Sequence, residues 1–369
     1  MTCRERLIRV FQKKEIDRLP IRIWGVDPLF PSVRDDWKFF YDLVEKYQLE
    51  IIRDWSPKKE EFPPSPYEVI TNQILSKSQD MISQETIIKT PKGNLTQIST
   101  HPKDGSPGMV TKYFIEDIKD AEKWLSLPDE GFPKIDSYWE LEEKTGQRAM
   151  IMIGIDEAMY MVQRMMGSEL FGYWLYDERE LLREMVDKAY RKIENLVKHY
   201  LSYNIGDAYG WVGPELCIPP LASIKDFQEF VFNYDKKIID LIHNSKKLTW
   251  IHCHGDMKPV IEEFIKMGLD CLNPIEPPPV SKITLKDALK ICKGKMALDG
   301  GIEDGAFLTL KQEKMKGLVE ETISQVEPGS SFILCPTSTP NTVRELLPYQ
   351  IENYKIYVET AVKLRNWYS

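Results

Sequence analysis

The sequence predicts an α/β fold built as a single (β/α)8 barrel. Two observations carry that prediction. Eight short apolar runs are bounded by turns or charge, and helical periodicity separates most of them. A third observation sets the rival aside: no glycine-rich strand-to-helix turn of the dinucleotide type is present, which counts against a doubly wound open sheet. The 369 residues, 42% of them hydrophobic, suffice for one large core.

The predicted strands run Pro20–Trp24, Leu49–Asp54, Ala149–Ile155, Asp207–Val212, Leu248–His252, Leu269–Asn273, Met296–Asp299 and Phe332–Cys335. Tyr176–Tyr203 reads as a helix because Leu181, Leu182, Met185, Ala189, Ile193, Leu196 and Val197 recur at three-to-four spacing. Ser223–Asn244 reads as another, with Ser223 as its N-cap. Pro259–Met267 stops at Gly268, and Leu310–Gln325 and Thr342–Trp367 complete the set. Tyr67–Asp117 breaks the alternation. Its Ile, Thr and Val content and its turn signals predict antiparallel strands at Glu68–Leu75, Glu85–Lys89, Leu95–Thr100 and Met109–Phe114. This is an insertion after the second strand, at about 67–117, within a barrel that spans 1–369. It either covers the barrel mouth or forms an edge sheet with no part in binding.

Lys plus Arg is 49 and Asp plus Glu is 57, for a net charge of −8, which argues against a generic nucleic-acid binder. No run approaches the length of a membrane-spanning helix. The first residues are charged and lack an apolar signal core, and the six cysteines are scattered. A reducing, cytoplasmic location is expected.

In such a barrel the active site lies at the C-terminal ends of the strands. Each predicted strand end carries a carboxylate, an imidazole or a thiol. His252 and His254 are the sharpest feature: two of only five histidines, two residues apart. In an extended chain such residues point the same way, so both imidazoles can face one cavity. Imidazole suits zinc, and Glu276 and Cys335, at neighbouring strand ends, are accepted zinc donors. The alternative has His252 on a backbone group and His254 contacting substrate without metal. Glu215, stiffened by Pro214, is a candidate ligand, general base or substrate anchor, or else caps a loop amide. Asp299 is a candidate acid–base group or orients an imidazole, or else serves the Gly300–Gly301 turn. Cys253 should point away from the histidines into the core, and Cys217, Cys271 and Cys292 read as small buried hydrophobes. The six methionines of Met150–Met166 suit core packing more than a soft pocket. Trp24, Trp211 and Tyr160 are candidates to cradle a flat apolar substrate, with Trp55 beside them.

Several segments in order resemble the uroporphyrinogen decarboxylase superfamily. They are Arg4-Glu5-Arg6-Leu7, Asp17-Arg18-Leu19-Pro20-Ile21, His252-Cys253-His254-Gly255, Leu272-Asn273-Pro274-Ile275-Glu276-Pro277, Gly300-Gly301-Ile302, and Pro328-Gly329 with Phe332–Thr337. The resemblance implies a (β/α)8 barrel. True decarboxylases carry an arginine-containing segment after the first strand; Ile23–Phe30 here has none. The resemblance therefore leans to the zinc-dependent methyltransferases that serve corrinoid proteins. Their pattern of His-x-Cys, a later Glu and a late Cys falls on His252, His254, Glu276 and Cys335, with His254 in place of Cys. Ser338 is the alternative match for the late Cys. The implied activity moves a methyl group from a small methoxylated donor, aromatic or otherwise, to the Co(I) of a separate corrinoid protein. Zinc would be bound by this chain and cobalamin would be carried by the partner. A uroporphyrinogen-decarboxylase-like lyase using Asp299 and His254, and a non-catalytic barrel that binds a small ligand, are the alternatives. Oligomeric state stays open.

Overall fold

The structure is a computed structural model that describes residues 1–32, 34–76, 78–340 and 345–366. Its main sheet holds seven parallel strands. In chain order, with the inserted strands between the first two, the strands are β1 (Ile52–Trp55), β2 (Val69–Ile74), β3 (Met81–Thr90), β4 (Gly93–Pro102) and β5 (Met109–Lys112). They continue as β6 (Met150–Gly154), β7 (Ala208–Val212), β8 (Leu248–His252), β9 (Cys271–Ile275), β10 (Ala297–Ile302) and β11 (Phe332–Pro336). The parallel sheet has the order β1-β6-β7-β8-β9-β10-β11, and β2 to β5 form a separate antiparallel sheet in sequence order.

The expected first strand, Pro20–Trp24, does not form a regular strand. Only Ile21 makes a bridge, parallel to Leu334. The segment does reach both edges of the sheet: Arg22 N–H donates to Leu334 O, Leu334 N–H to Pro20 O, and Glu50 N–H to Ile21 O. Pro20 has no N–H to give. The Ile21 N–H, which would extend a ladder toward β1, is taken instead by the Glu50 carboxylate at 2.8 Å. That carboxylate is fixed by Arg6 at 2.7 Å and Arg18 at 2.9 Å. Side-chain pairing thus replaces strand pairing at this seam.

Strand alternation divides the core in two. One buried cluster joins Met150, Met152, Ala208, Trp250, Cys271, Ala297 and Ile333 to Leu7, Val10 and Phe11 of the helix Cys3–Phe11, which packs on the inner face of the sheet. The larger cluster lies on the outer face, between Ile151, Ile153, Trp211, Ile251, Cys253 and Leu298 and the surrounding helices. The six methionines divide between the faces or pack partly buried, as core residues. All six cysteines are free and buried, and Cys253 is turned outward as expected.

The helices match the expected periodicity closely. Arg179–Ser202 and Gln312–Ser324 lie inside their expected spans. Ser223 caps its helix: its Oγ accepts from Asp226 N–H, and the Asp226 carboxylate accepts from Ser223 N–H. That helix is broken by a wide turn at Gln228–Phe232 before Asn233–Asn244. Gly268, at φ 88°, ends Ile261–Met267 in the left-handed conformation that glycine tolerates. The last helix spans Pro348–Leu364, and the expected ends Thr342 and Trp367 lie outside the described residues. In the inserted sheet, β3 and β4 pair over ten positions each, and buried Leu95 joins the outer core. Among the described residues no helix is long and apolar enough to cross a membrane.

Candidate active site at the C-terminal rim

His252 ends β8, where it stands opposite Val212 of β7 and Asn273 of β9. Alternation places it on the inner face with Trp250 below it. The two rings stack at 5.8 Å between centroids. His254 follows two residues on, its ring 4.5 Å from that of His252 and perpendicular to it. The strand ends therefore bring both imidazoles to one place, as the spacing predicts.

Each imidazole is held through Nδ1. His252 Nδ1 lies 2.7 Å from Asn273 Oδ1. Asn273 Nδ2 donates at 3.4 Å to the main-chain oxygen of Asp299, which can only accept. Asn273 therefore turns its oxygen toward His252 Nδ1. Burial pushes the His252 pKa down to about 4, although the Asn273 bond works the other way, so the ring is neutral at pH 7. His254 Nδ1 lies 3.0 Å from Glu276 Oε1, and Gly255 N–H donates to Glu276 Oε2 at 2.7 Å. The Glu276 carboxylate raises the His254 pKa. Burial would raise Glu276, but its bonds to His254 and Gly255 hold it below the usual range.

Glu215 sits just beyond β7 in the short turn Pro214–Cys217. Gly213, at φ 124°, makes the bend, and a Cβ there would fall 2.4 Å from Tyr160. Tyr160 thus packs under the loop that carries Glu215. The Glu215 Oε2 atom is buried with no hydrogen-bond partner. Burial pushes its carboxyl up, while its own main chain and His254 pull it back. Trp24 is half-buried with its ring 4.7 Å from that of His252, so it forms a wall of the site.

Two candidate residues lie elsewhere. Trp211 faces the outer layer, where its Nε1–H donates to Asp235 at 2.9 Å in the helix Asn233–Asn244. Cys335 is fully buried beside the Arg22–Asp299 pair, and burial raises its thiol well above the usual value. Asp299 is an ion-pair partner: Arg22 Nη2 and Nε reach its carboxylate at 2.6 and 3.3 Å, and both residues are buried.

Arg22 and Asn273 are the residues that sequence reasoning missed. Arg22 stands one position before the segment searched for an arginine, on the same side of the chain as Trp24. Asn273 sits at a strand end next to a candidate ligand, which is its only signal in the sequence. Asp54, near the end of β1, opens to solvent at the mouth, while desolvation by the protein around it raises its carboxyl against the pull of Arg22 and Arg53.

Residues 98–340, more than half of the chain, match the uroporphyrinogen decarboxylase (URO-D) family. The chain belongs to that family. The match takes in every segment of the rim from His252 to Thr337, whereas the Arg4–Leu7 and Asp17–Ile21 segments lie outside it. Among solved structures, a methyltransferase from Methanosarcina mazei superposes with a TM-score of 0.59 at 14% identity, covering 98% of this chain and 99% of its own. At that identity the likeness establishes the fold. A protein described as a vitamin-B12-independent methionine synthase from Listeria monocytogenes matches at 15% identity over 64% of this chain and 72% of its own, with a TM-score of 0.41. No curated protein matches.

The family resemblance implies zinc, and the donor chemistry of the rim bears on that directly. Two neutral-capable imidazoles present Nε2, and Glu215 has a buried carboxylate oxygen without a partner. These suit a divalent cation that takes nitrogen and oxygen donors. Each Glu276 oxygen already has one contact, Oε1 with His254 Nδ1 and Oε2 with Gly255 N–H. Among the described residues no three His, Cys, Asp or Glu side chains are already gathered closely enough to hold a metal.

Proposed function

We propose that this URO-D family member is a methyltransferase. It moves a methyl group from a small methoxylated donor to the Co(I) of a separate corrinoid protein. The observation that supports the reading best is the pair of imidazoles 4.5 Å apart, each engaged at Nδ1 and, among the described residues, each with Nε2 outside any hydrogen bond. We also read the seven-stranded sheet together with Pro20–Arg22 as a (β/α)8 barrel, the family's architecture, with the rim at its mouth.

In this reading His252 and His254 hold zinc, and Glu215, with its unpartnered oxygen, is the third protein donor. When bound, zinc supplies Lewis acidity toward the oxygen that leaves the methyl group. The donor's C–O bond would break as an electron pair of the partner's Co(I) forms the new bond to carbon, and the leaving oxygen would keep the C–O pair and take up a proton from water. The chain's own residues orient the reaction. Asn273 and Glu276 fix the two imidazole planes. Trp24 offers an aromatic wall for the donor, and Tyr160 supports the Glu215 loop. Asp299 acts through its contacts with Arg22 and Asn273. Arg22 is neutralised by Asp299, which leaves it unsuited to clamp a substrate rich in carboxylates.

The test is methyl transfer from a panel of methoxyarenes to free cob(I)alamin, run beside elemental analysis of the purified protein. Zinc near one per chain, with transfer lost in His252→Ala, is expected. A protein that takes up no metal, and whose activity is unchanged by His252→Ala, would overturn the proposal. Turnover of a porphyrinogen instead would establish the decarboxylase alternative.

A further inference from the structure

The buried groups beneath His252 form a continuous chain. Arg22 pairs with the Asp299 carboxylate, Asp299 O accepts from Asn273 Nδ2, and Asn273 Oδ1 meets His252 Nδ1 at 2.7 Å. Asn273 and Asp299 are fully buried and Arg22 is 3% exposed. A buried amide must satisfy both of its ends, and this one has one partner at each. Reversing the amide would set its oxygen against the main-chain oxygen of Asp299, which can only accept, and would leave both buried oxygens without a donor there.

We propose that Asn273 is a positioning residue that locks His252 in the Nδ1–H tautomer, and that the Arg22–Asp299 pair holds Asp299, and through it Asn273, in register. The lock keeps the lone pair on Nε2 at the rim at all times, whereas a free imidazole divides its population between tautomers. It also gives the two histidines different anchors: a neutral amide for His252 and a carboxylate for His254. A neutral acceptor leaves His252 the weaker electron donor of the two, and the carboxylate makes His254 the stronger. The use of Nε2 as a metal donor rests on the proposed function; the tautomer itself does not.

The experiment is long-range 1H–15N correlation of the full chain labelled at histidine nitrogen, with His252 assigned from the spectrum of His252→Gln. At pH 7 the wild-type His252 signals should show Nδ1 protonated and Nε2 unprotonated. Asn273→Ala should release the lock and shift the ring toward the Nε2–H form. Asn273→Asp, which still accepts from Nδ1, should restore the wild-type tautomer, and it keeps the proposal testable if the alanine variant does not fold. In parallel, zinc affinity should fall by about 10- to 100-fold in Asn273→Ala. A wild-type ring protonated on Nε2, or a folded Asn273→Ala protein with an unchanged His252 tautomer, would overturn the proposal. A correct tautomer with no zinc uptake by the wild type would leave the lock in place and refute the metal reading instead.

Discussion

The inner and outer faces of the same strands carry opposite chemistry. At the end of β7 and β8 the outer face holds Trp211, Ile251 and Cys253, which pack against helices. Its polar atoms are satisfied there, as in the Trp211 to Asp235 bond. The inner face at the same level holds Val212, 39% exposed, together with His252, and His254 follows at the rim with 41% of its side chain exposed. Its polar groups are held from below and left open above. One residue of strand parity therefore separates a side chain that builds the scaffold from one that can meet a ligand.

Breaking the inner face at its foundation should have the largest effect. Arg22→Leu leaves the Asp299 carboxylate buried without its cation, and the loss should be about 3–5 kcal/mol in denaturant unfolding. Breaking an exposed pair such as Lys293–Glu327, where both side chains are 78% exposed, should cost well under about 1 kcal/mol. Equal losses at the two sites would remove the distinction between foundation and surface.

At the rim itself, His252→Ala should lower methyl transfer by more than about 100-fold, in line with removal of an electrophile's anchor. Its fold should survive, because the ring ends a strand that Trp250 still packs. Retained activity would move the chemistry away from the inner face.

On the outer face the same size of change should read in stability and not in turnover. Trp211→Phe leaves Asp235 short of a donor and should cost about 1–3 kcal/mol, with kcat within twofold of wild type. A large fall in kcat with stability intact would return Trp211 to the substrate wall.

The outer face also predicts a pH dependence. Burial pushes the Asp235 carboxyl up to about 7 from 3.8, although the Trp211 bond lowers it, and burial, with the nearby Asp235 charge, raises Glu157 as well. The folded state then binds this proton more tightly than the unfolded chain. Stability from it is full below about 4 and is lost as pH rises through 7. Asp235→Asn keeps an acceptor for Trp211 and removes the penalty, so the variant should gain on wild type between pH 5 and 8 in thermal unfolding. A constant difference across that range would contradict it. Among the buried sites the smallest effect belongs to Cys253→Ala, which should change stability by about 1 kcal/mol and leave transfer and zinc content unchanged; loss of zinc would make the outward thiol a ligand.

Much of this contrast is legible in the sequence. Short apolar runs bounded by turns or charge locate seven strands and the inserted meander, and Ser223 and Gly268 mark helix ends through backbone chemistry that local residues determine. His252 and His254 are visible because spacing alone puts them on one side. The parity of Trp211 could be read as well, once β7 and β8 are aligned, because Val212 rather than Trp211 lies opposite His252. The seam at Pro20–Arg22 is different. There a carboxylate 29 residues away takes the Ile21 N–H, and no local pattern announces that. The contact between Glu276 and His254 depends likewise on the geometry between two strand ends. The Arg22–Asp299 pair joins residues 277 positions apart, which single-sequence reading has no means to pair.

The most direct measurement is the anomalous-scattering map at the zinc edge from crystals of the full chain grown with zinc. One peak is predicted on the inner face, about 2.0–2.1 Å from Nε2 of both His252 and His254 and within reach of a Glu215 oxygen. No peak there, or a peak at Cys335 beneath the rim, would contradict the assignment of the chemistry to the imidazole pair.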